Sequence, residues 1–376
     1  MKTLLKYECK KFIHSIKNYV VFFMMLLAFV CFLGYCNSEH QNYLKTAIED
    51  YTREQKNADR SLRGPTTTII YAQEGEDIED AKKQSEYFTE LRDALYIVKG
   101  GYLLKDYQSI SSIKEYMNLN MVLLDGYESG IPMENFTKKS IEELKQENQY
   151  YQYLIDHEIE LEASPYQLTV WNIAKQLFNG IGALAVFFFF LLWIFDIFGL
   201  EFDTGSFKNI YSSSYSRKEI LLSKLIFSFT LLGIYLFILI GLLILVGIFC
   251  GWGNPMYPCM LSNETLPIWQ TVCTMGLILI AGSIFMIFFV YAIAMFVSSS
   301  SSTLIITFIT YMTVAVLQQA LGLQKIYGFI PLCYNETLEI VSNHQNLIAL
   351  PAGCILGGLL WYVAYVYFKR KDLQNG

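Results

Sequence analysis

The chain has 376 residues and a formal net charge of −6, with 53% hydrophobic, 16% aromatic and 16% charged content and a mean hydropathy of +0.33. A soluble globular domain is excluded on that balance, because such domains carry roughly 25% charged residues. A nucleic-acid binder is disfavoured as well, since no basic stripe with interleaved aromatics stands outside the segments flanking apolar runs.

Residues 1–18 set Leu4, Leu5, Phe12, Ile13 and Ile16 among Lys6, Lys10 and Lys11. The pattern predicts an interfacial amphipathic helix, apolar face toward the acyl boundary and lysines toward anionic head groups. A basic tail that only fixes topology is the plainer alternative. Glu8 reads as an i,i+3 partner of Lys11.

Six apolar windows follow, at about 19–36, 177–200, 221–250, 268–297, 303–321 and 347–368. Each meets the roughly 18 residues a membrane-spanning helix needs. The third and fourth are longer than a perpendicular crossing requires, which predicts tilt, a break or an overhang. Lysine and arginine cluster before the first window, between the second and third, and after the last. Both termini are therefore expected in the cytoplasm and residues 37–172 outside, with a multi-pass chain in the cell membrane. The first window has no small-residue cleavage site close behind it and reads as a retained span, residues 19–36.

The segment 37–172 holds 14 Lys and Arg against 25 Asp and Glu, a net −11, whereas the rest of the chain is +5. Apolar stripes at Tyr43/Leu44, Ala47/Ile48 and Tyr51, at Tyr87/Phe88, Leu91, Ala94/Leu95 and Val98, and at Ile141, Leu144, Tyr151 and Leu154/Ile155 predict helices. Gly100-Gly101 closes the second stripe, and Ser140 with Glu143 opens the third as a capping box. Pro65, Gly126, Gly130, Pro132 and Pro165 read as breaks between elements. A mostly helical extracellular domain is expected, followed by spans two to six over 173–376.

Chemistry is sparse. His157-Glu158 starts like a metalloprotease motif, but Leu161 stands where its second histidine belongs. No metal set is expected, no GxxxxGK[ST] loop occurs, and the paired carboxylates read as solvated helix faces. An enzyme is therefore disfavoured, with catalytic residues none. Cys250 and Cys259 fall in one predicted outer loop and are candidates to pair, against the plainer reading of scattered apolar cysteines. Gly353/Gly357 and Gly247/Gly251 each form a GxxxG, a weak signal of close helix packing.

The polar island Glu201 to Lys224 lies between two apolar runs, with a cytoplasmic loop at 201–219. Asp203 or Thr204 is placed to N-cap a short helix whose apolar face is Phe207, Ile210 and Tyr211. Ser216 and Glu219 form a second capping box, and Arg217, Lys218 and Lys224 cluster at the start of the next helix.

This layout resembles the ABC-2-type (type V) permeases of bacterial ABC exporters. Glu201-x-Asp203-x-Gly205, then Ser216-Arg217-Lys218 and Lys224, is similar to that family's cytoplasmic coupling loop. The terminal Tyr367-Phe368-Lys369-Arg370-Lys371-Asp372-Leu373 is similar to its usual ending. The proline often found before the Ser-Arg pair is missing here. The resemblance implies an all-α membrane protein with six transmembrane helices and a transmembrane permease subunit energised by separate ATP-binding subunits, two copies expected. ATP and Mg would sit on that partner and no cofactor on this chain. It also implies a second permease copy or a sister permease, with lipids around both. The coupling residues would be Glu201, Asp203, Gly205, Phe207, Ile210, Tyr211, Arg217 and Lys218, with Lys6, Glu8, Lys10 and Lys11 on the interfacial helix. A peptide or other amphipathic, lipid-like substrate is expected. The alternative is a membrane sensor or receptor whose outer domain binds a ligand and signals through the loop.

Overall fold

The computed structural model describes residues 2–72, 78–162, 164–206, 215–261, 265–322 and 324–370. The chain divides into two compact units, Met1–Gly34 with Leu168–Gly376, and Tyr35–Gln167. Among the described residues six helices are long and apolar enough to cross a membrane, and the only strands form one two-stranded sheet.

The first unit begins with α1 (Lys2–His14), which ends at Ser15, where the Asn18 side chain donates to the Phe12 carbonyl at 2.8 Å. Helix α2 (Ile16–Tyr71) then runs 56 residues and supplies both units. Pro65 lies inside it, although the sequence marks a break there. Proline removes one ladder bond and crowds the preceding turn. The hydroxyls of Thr66, Thr67 and Thr68 donate to the carbonyls of Leu62, Arg63 and Gly64 at 2.8, 2.7 and 3.2 Å, additional bonds on the carbonyls next to the one that proline leaves without its N–H donor.

In the second unit α2 is joined by α3 (Glu79–Leu104), α4 (Ile110–Glu128) and α5 (Ile141–Asp156). The α3 stripe buries Phe88, Leu91, Ala94, Leu95 and Val98 as its spacing predicts. Gly100-Gly101 does not stop α3, which closes at Lys105 (φ 59°) with the Asp106 N–H on the Gly101 carbonyl at 2.9 Å. Gly126 likewise sits within α4 and marks no break. Helix α4 has no counterpart among the sequence stripes, yet buries Ile113, Leu119, Val122 and Leu123 against its neighbours. The capping box at α5 is formed: Ser140 Oγ accepts from the Glu143 N–H at 3.3 Å, and Glu143 Oε2 accepts from the Ser140 N–H at 2.7 Å.

The second apolar span starts later than the sequence places it. Helix α6 (Val170–Leu177) stops at Phe178, and α7 (Gly180–Ile194) leads almost directly into α8 (Asp196–Asp203). The break is stitched by the segment between the last two spans. The Gly180 N–H donates to the Asn335 carbonyl at 2.7 Å, Thr337 Oγ1 to the Phe178 carbonyl at 2.6 Å, and the Leu338 N–H to Asn179 Oδ1 at 3.0 Å. That segment comprises two 3-10 turns, Gln324–Phe329 and Pro331–Cys333, and a helix, Thr337–Ser342. Tyr334 is fully buried within it, its single hydroxyl proton shared between the carbonyls of Ala349 and Gly328, 2.6 and 3.0 Å from the oxygen.

Helix α9 (Arg217–Phe249) has 33 residues, about 50 Å at 1.5 Å per residue against a hydrocarbon core of about 30 Å, so its ends overhang. After it, strands β1 (Pro258–Met260) and β2 (Thr265–Pro267) pair antiparallel with Cys259 opposite Leu266. Cys250 and Cys259 are free thiols, one exposed and one buried. Helix α10 (Ile268–Val297) is the core of this unit. It is apolar all round, as a centrally buried helix must be, with Ile278, Ile287, Val290, Tyr291 and Met295 fully or almost fully enclosed. Helix α11 (Ser300–Leu321) follows after a left-handed Ser298 (φ 57°). The last span is α12 (Asn346–Arg370). Its Gly353 and Gly357 lie on α10: a Cβ on Gly353 would meet the Ala281 carbonyl oxygen at 3.0 Å, and one on Gly357 a Phe288 ring carbon at 2.7 Å. Small residues permit that approach. Gly247 and Gly251 make no such seam, because α9 ends at Phe249 and Gly251 lies beyond it at φ +113°.

Candidate functional site at the α1, α8 and α9 junction

Lys224 lies two turns into α9 and is 1% exposed. A bare ammonium in apolar surroundings is costly unless paired and hydrogen-bonded. All three of its protons are committed: to Glu8 Oε1 at 2.7 Å, Glu201 Oε1 at 2.5 Å and the Ile197 carbonyl at 2.8 Å. Glu8 comes from α1 and Glu201 from α8, and both carboxylates are buried. One side chain thus ties three helices that are far apart in the chain. Lys11 Nζ stands 3.9 Å from both Glu8 and Glu201, the looser member of the group. Burial first, then the Lys224 ammonium, pulls the Lys11 amine below its ordinary value, and Glu8 and Glu201 draw it back up. Lys17 pairs with Asp196 at 2.8 Å and lies 4.4 Å from the centre of the Phe195 ring. Three cations and three carboxylates therefore balance.

Local sequence explains the placement. On α1, Glu8 and Phe12 are four residues apart and face the bundle together, while Lys6 and Lys10 are exposed. Phe12 meets Trp193 and Phe227 edge-on at 5.7 and 5.9 Å, wedging α1 between α7 and α9. The start of α9 is fixed by its capping box, Glu219 N–H to Ser216 Oγ at 3.2 Å and Ser216 N–H to Glu219 Oε2 at 2.9 Å.

The predicted coupling residues separate into three groups. Glu201 is buried in the ion cluster. Asp203, expected to cap the following helix, instead ends α8, and its Oδ2 accepts from the Ser300 N–H at 3.0 Å. Gly205 (φ +68°) follows as the left-handed residue that terminates α8, with Thr204 Oγ1 donating back to Leu200. Arg217 reaches the Lys369 carbonyl at 3.4 Å, joining the start of α9 to the end of the last span, and Lys218 is exposed. Phe207, Ile210 and Tyr211 lie outside the described residues. Glu8 does more than its i,i+3 spacing implies. The pairing of Lys17 with Asp196 has a sequence signal only in hindsight, as charges at the margins of apolar runs.

The cluster holds no nucleophile with a paired base, and among the described residues no group of three or more His, Cys, Asp or Glu is placed to bind a metal ion. What the cluster shows is structural: the bonds of Lys224 connect α1, α8 and α9.

Six helices among the described residues long and apolar enough to cross a membrane define a multi-pass membrane protein. The sequence profile of the ABC-2 family transporter proteins matches residues 3–352, so the chain belongs to that family. It is a permease component of an ABC transporter, a class that works with an ATP-binding subunit and is not itself catalytic. Searches of curated proteins and of solved structures returned no match.

Proposed function

We propose that this chain is the transmembrane half of an ATP-driven exporter that moves a peptide or another amphipathic, lipid-like substrate out of the cytoplasm or the membrane. ATP and Mg bind on two separate ATP-binding subunits. The observation that carries the mechanism is the Lys224 joint. A push on the cytoplasmic loop 201–219 reaches α8 on one side and α9 on the other, and Glu8 passes it to α1. Coupling requires that the joint not slip, and a fully bonded, desolvated ammonium resists slipping because breaking either pair leaves a buried carboxylate uncompensated.

In this reading both termini and the loop face the cytoplasm, where Lys6 and Lys10 meet anionic head groups, and the unit Tyr35–Gln167 lies outside. A second permease copy or a sister permease completes the pathway.

The test separates folding from coupling. Phe207→Asp and Arg217→Glu are expected to insert and purify like the native chain, to bind the ATP-binding subunit at least about tenfold more weakly, which is roughly 1.4 kcal/mol, and to uncouple nucleotide turnover from transport. Coupled transport at native rates in both variants overturns the reading. If no ATP-binding protein copurifies and the second unit binds a ligand that alters the loop, a sensor replaces the exporter.

A further inference from the structure

The second unit contains a cavity of about 270 Å³ between α2, the end of α3, α4, α5 and the loop before α5. Its wall is aromatic to an unusual degree: Tyr43, Tyr51, Tyr102, Tyr116 and Tyr151 surround it, with Glu54 among them. The rings form a chain, Tyr51 to Tyr102 at 5.6 Å between centroids, Tyr102 to Tyr116 at 6.0 Å, and Tyr116 to Tyr151 at 5.8 Å. Among the described residues, no lysine or arginine lies over any of these faces. Burial holds the phenols of Tyr102, Tyr116 and Tyr151 above their ordinary value, so they present neutral rings.

The charges nearby form two ion pairs and leave one anion, Glu54, and one cation, Lys138. Asp50 is bound by Arg53 at 2.6 Å, and Glu147 by Lys139 at 2.7 Å. Lys138 is exposed at the rim. Glu54, half-buried, makes no hydrogen bond or ion pair among the described residues. A half-buried carboxylate set among tyrosine rings, with no cation bonded to it, is the arrangement that attracts an organic cation, through the ring quadrupoles and direct charge together. The volume falls just below the roughly 300–1,000 Å³ of drug-sized pockets, which suits a head group rather than a large molecule.

We propose that this cavity binds an organic ammonium group, held by the faces of Tyr51, Tyr102, Tyr116 and Tyr151 with the Glu54 carboxylate as its counter-charge. The same group is offered by a free quaternary amine or by a lysine side chain in a peptide, and the two sources differ in what lies beyond the nitrogen. Glu54 lies well past the apolar window that ends near residue 36, and burial first, then Asp50, pushes its carboxyl up to about 7. The carboxylate therefore forms above that pH and is lost below it. Arg53, Lys139 and Lys138 draw it back down, and binding is expected to strengthen between pH 6 and pH 8.

The experiment is calorimetric titration of the full-length protein in lipid nanodiscs, without nucleotide or any ATP-binding subunit, so its outcome is independent of the exporter reading. The titrants are choline, its neutral isostere 3,3-dimethyl-1-butanol, N-acetyl-lysine amide and inorganic phosphate. A cation is expected to bind saturably and at least about tenfold more tightly than the isostere, with Glu54→Gln removing about the same factor. Tyr151→Phe, which keeps the ring, is expected to retain affinity, and Tyr151→Ala to lose it. Tighter choline assigns a free quaternary amine, and tighter lysine amide a peptide. Equal binding of the neutral isostere, preference for phosphate, no binding of either cation, or an unchanged Glu54→Gln overturns the proposal. Should Glu54→Gln fail to fold, the titrant series on the native protein decides alone.

Discussion

Lys224→Met is expected to destabilise the purified protein by about 3–5 kcal/mol, the cost of breaking a buried ion pair by removing one partner. The substitution keeps most of the stem's volume, so the loss is not a cavity effect. It leaves Glu8 and Glu201, both buried, facing each other without the ammonium that each now accepts from. Thermal unfolding in detergent reads the effect as a large drop in Tm. The triple variant Glu8→Gln, Glu201→Gln, Lys224→Met removes those three charges but strands Lys11, which stands 3.9 Å from both carboxylates, so it is expected to recover only part of that stability. It is also expected to transport poorly, since α1 is then held only by packing such as Phe12 against Trp193 and Phe227. A single variant that melts with the native protein would show that the joint bears no load. A triple variant that transports normally would show that it does not couple.

The second large effect is at Gly199. A Cβ there would lie 2.7 Å from both the Cα and the N of Ser300, which are backbone atoms and cannot rotate aside. Gly199→Leu therefore forces α8 away from α11 and strains the bond from the Ser300 N–H to Asp203 at 3.0 Å. Overpacking costs typically about 1–3 kcal/mol, with a leucine against backbone at the upper end or beyond. The comparison is Gly233→Ala. Gly233 lies on the exposed face of α9 with nothing within 4 Å of its would-be Cβ, so the exchange is expected to be neutral or to stabilise by up to about 1 kcal/mol. Equal melting temperatures for the two variants would remove the close approach as a constraint.

Several elements could be read before any coordinates because their causes are local. The six apolar runs are set by composition within about 20 residues. The capping boxes at Ser140–Glu143 and Ser216–Glu219 need only a three-residue spacing. The α3 stripe from Phe88 to Val98 needs only the helical period. Other readings failed where the competing force was also local but of another kind. Pro65 counts as a break by its ring and missing N–H, yet it removes only one bond from a 56-residue ladder and α2 continues to Tyr71. Asp203 counts as an N-cap by type, yet the left-handed Gly205 makes it the end of α8.

The sequence by itself determined that this is a helical chain of six apolar spans with a basic amphipathic start and a polar loop after the second span. Those features follow from hydrophobicity and spacing along a short stretch of backbone. Only the tertiary structure decided what Glu8, Glu201 and Lys224 are for. Glu8 and Lys224 are 216 positions apart, so no local period connects them. Desolvation forces them together only once α1, α8 and α9 have excluded water from the space they share.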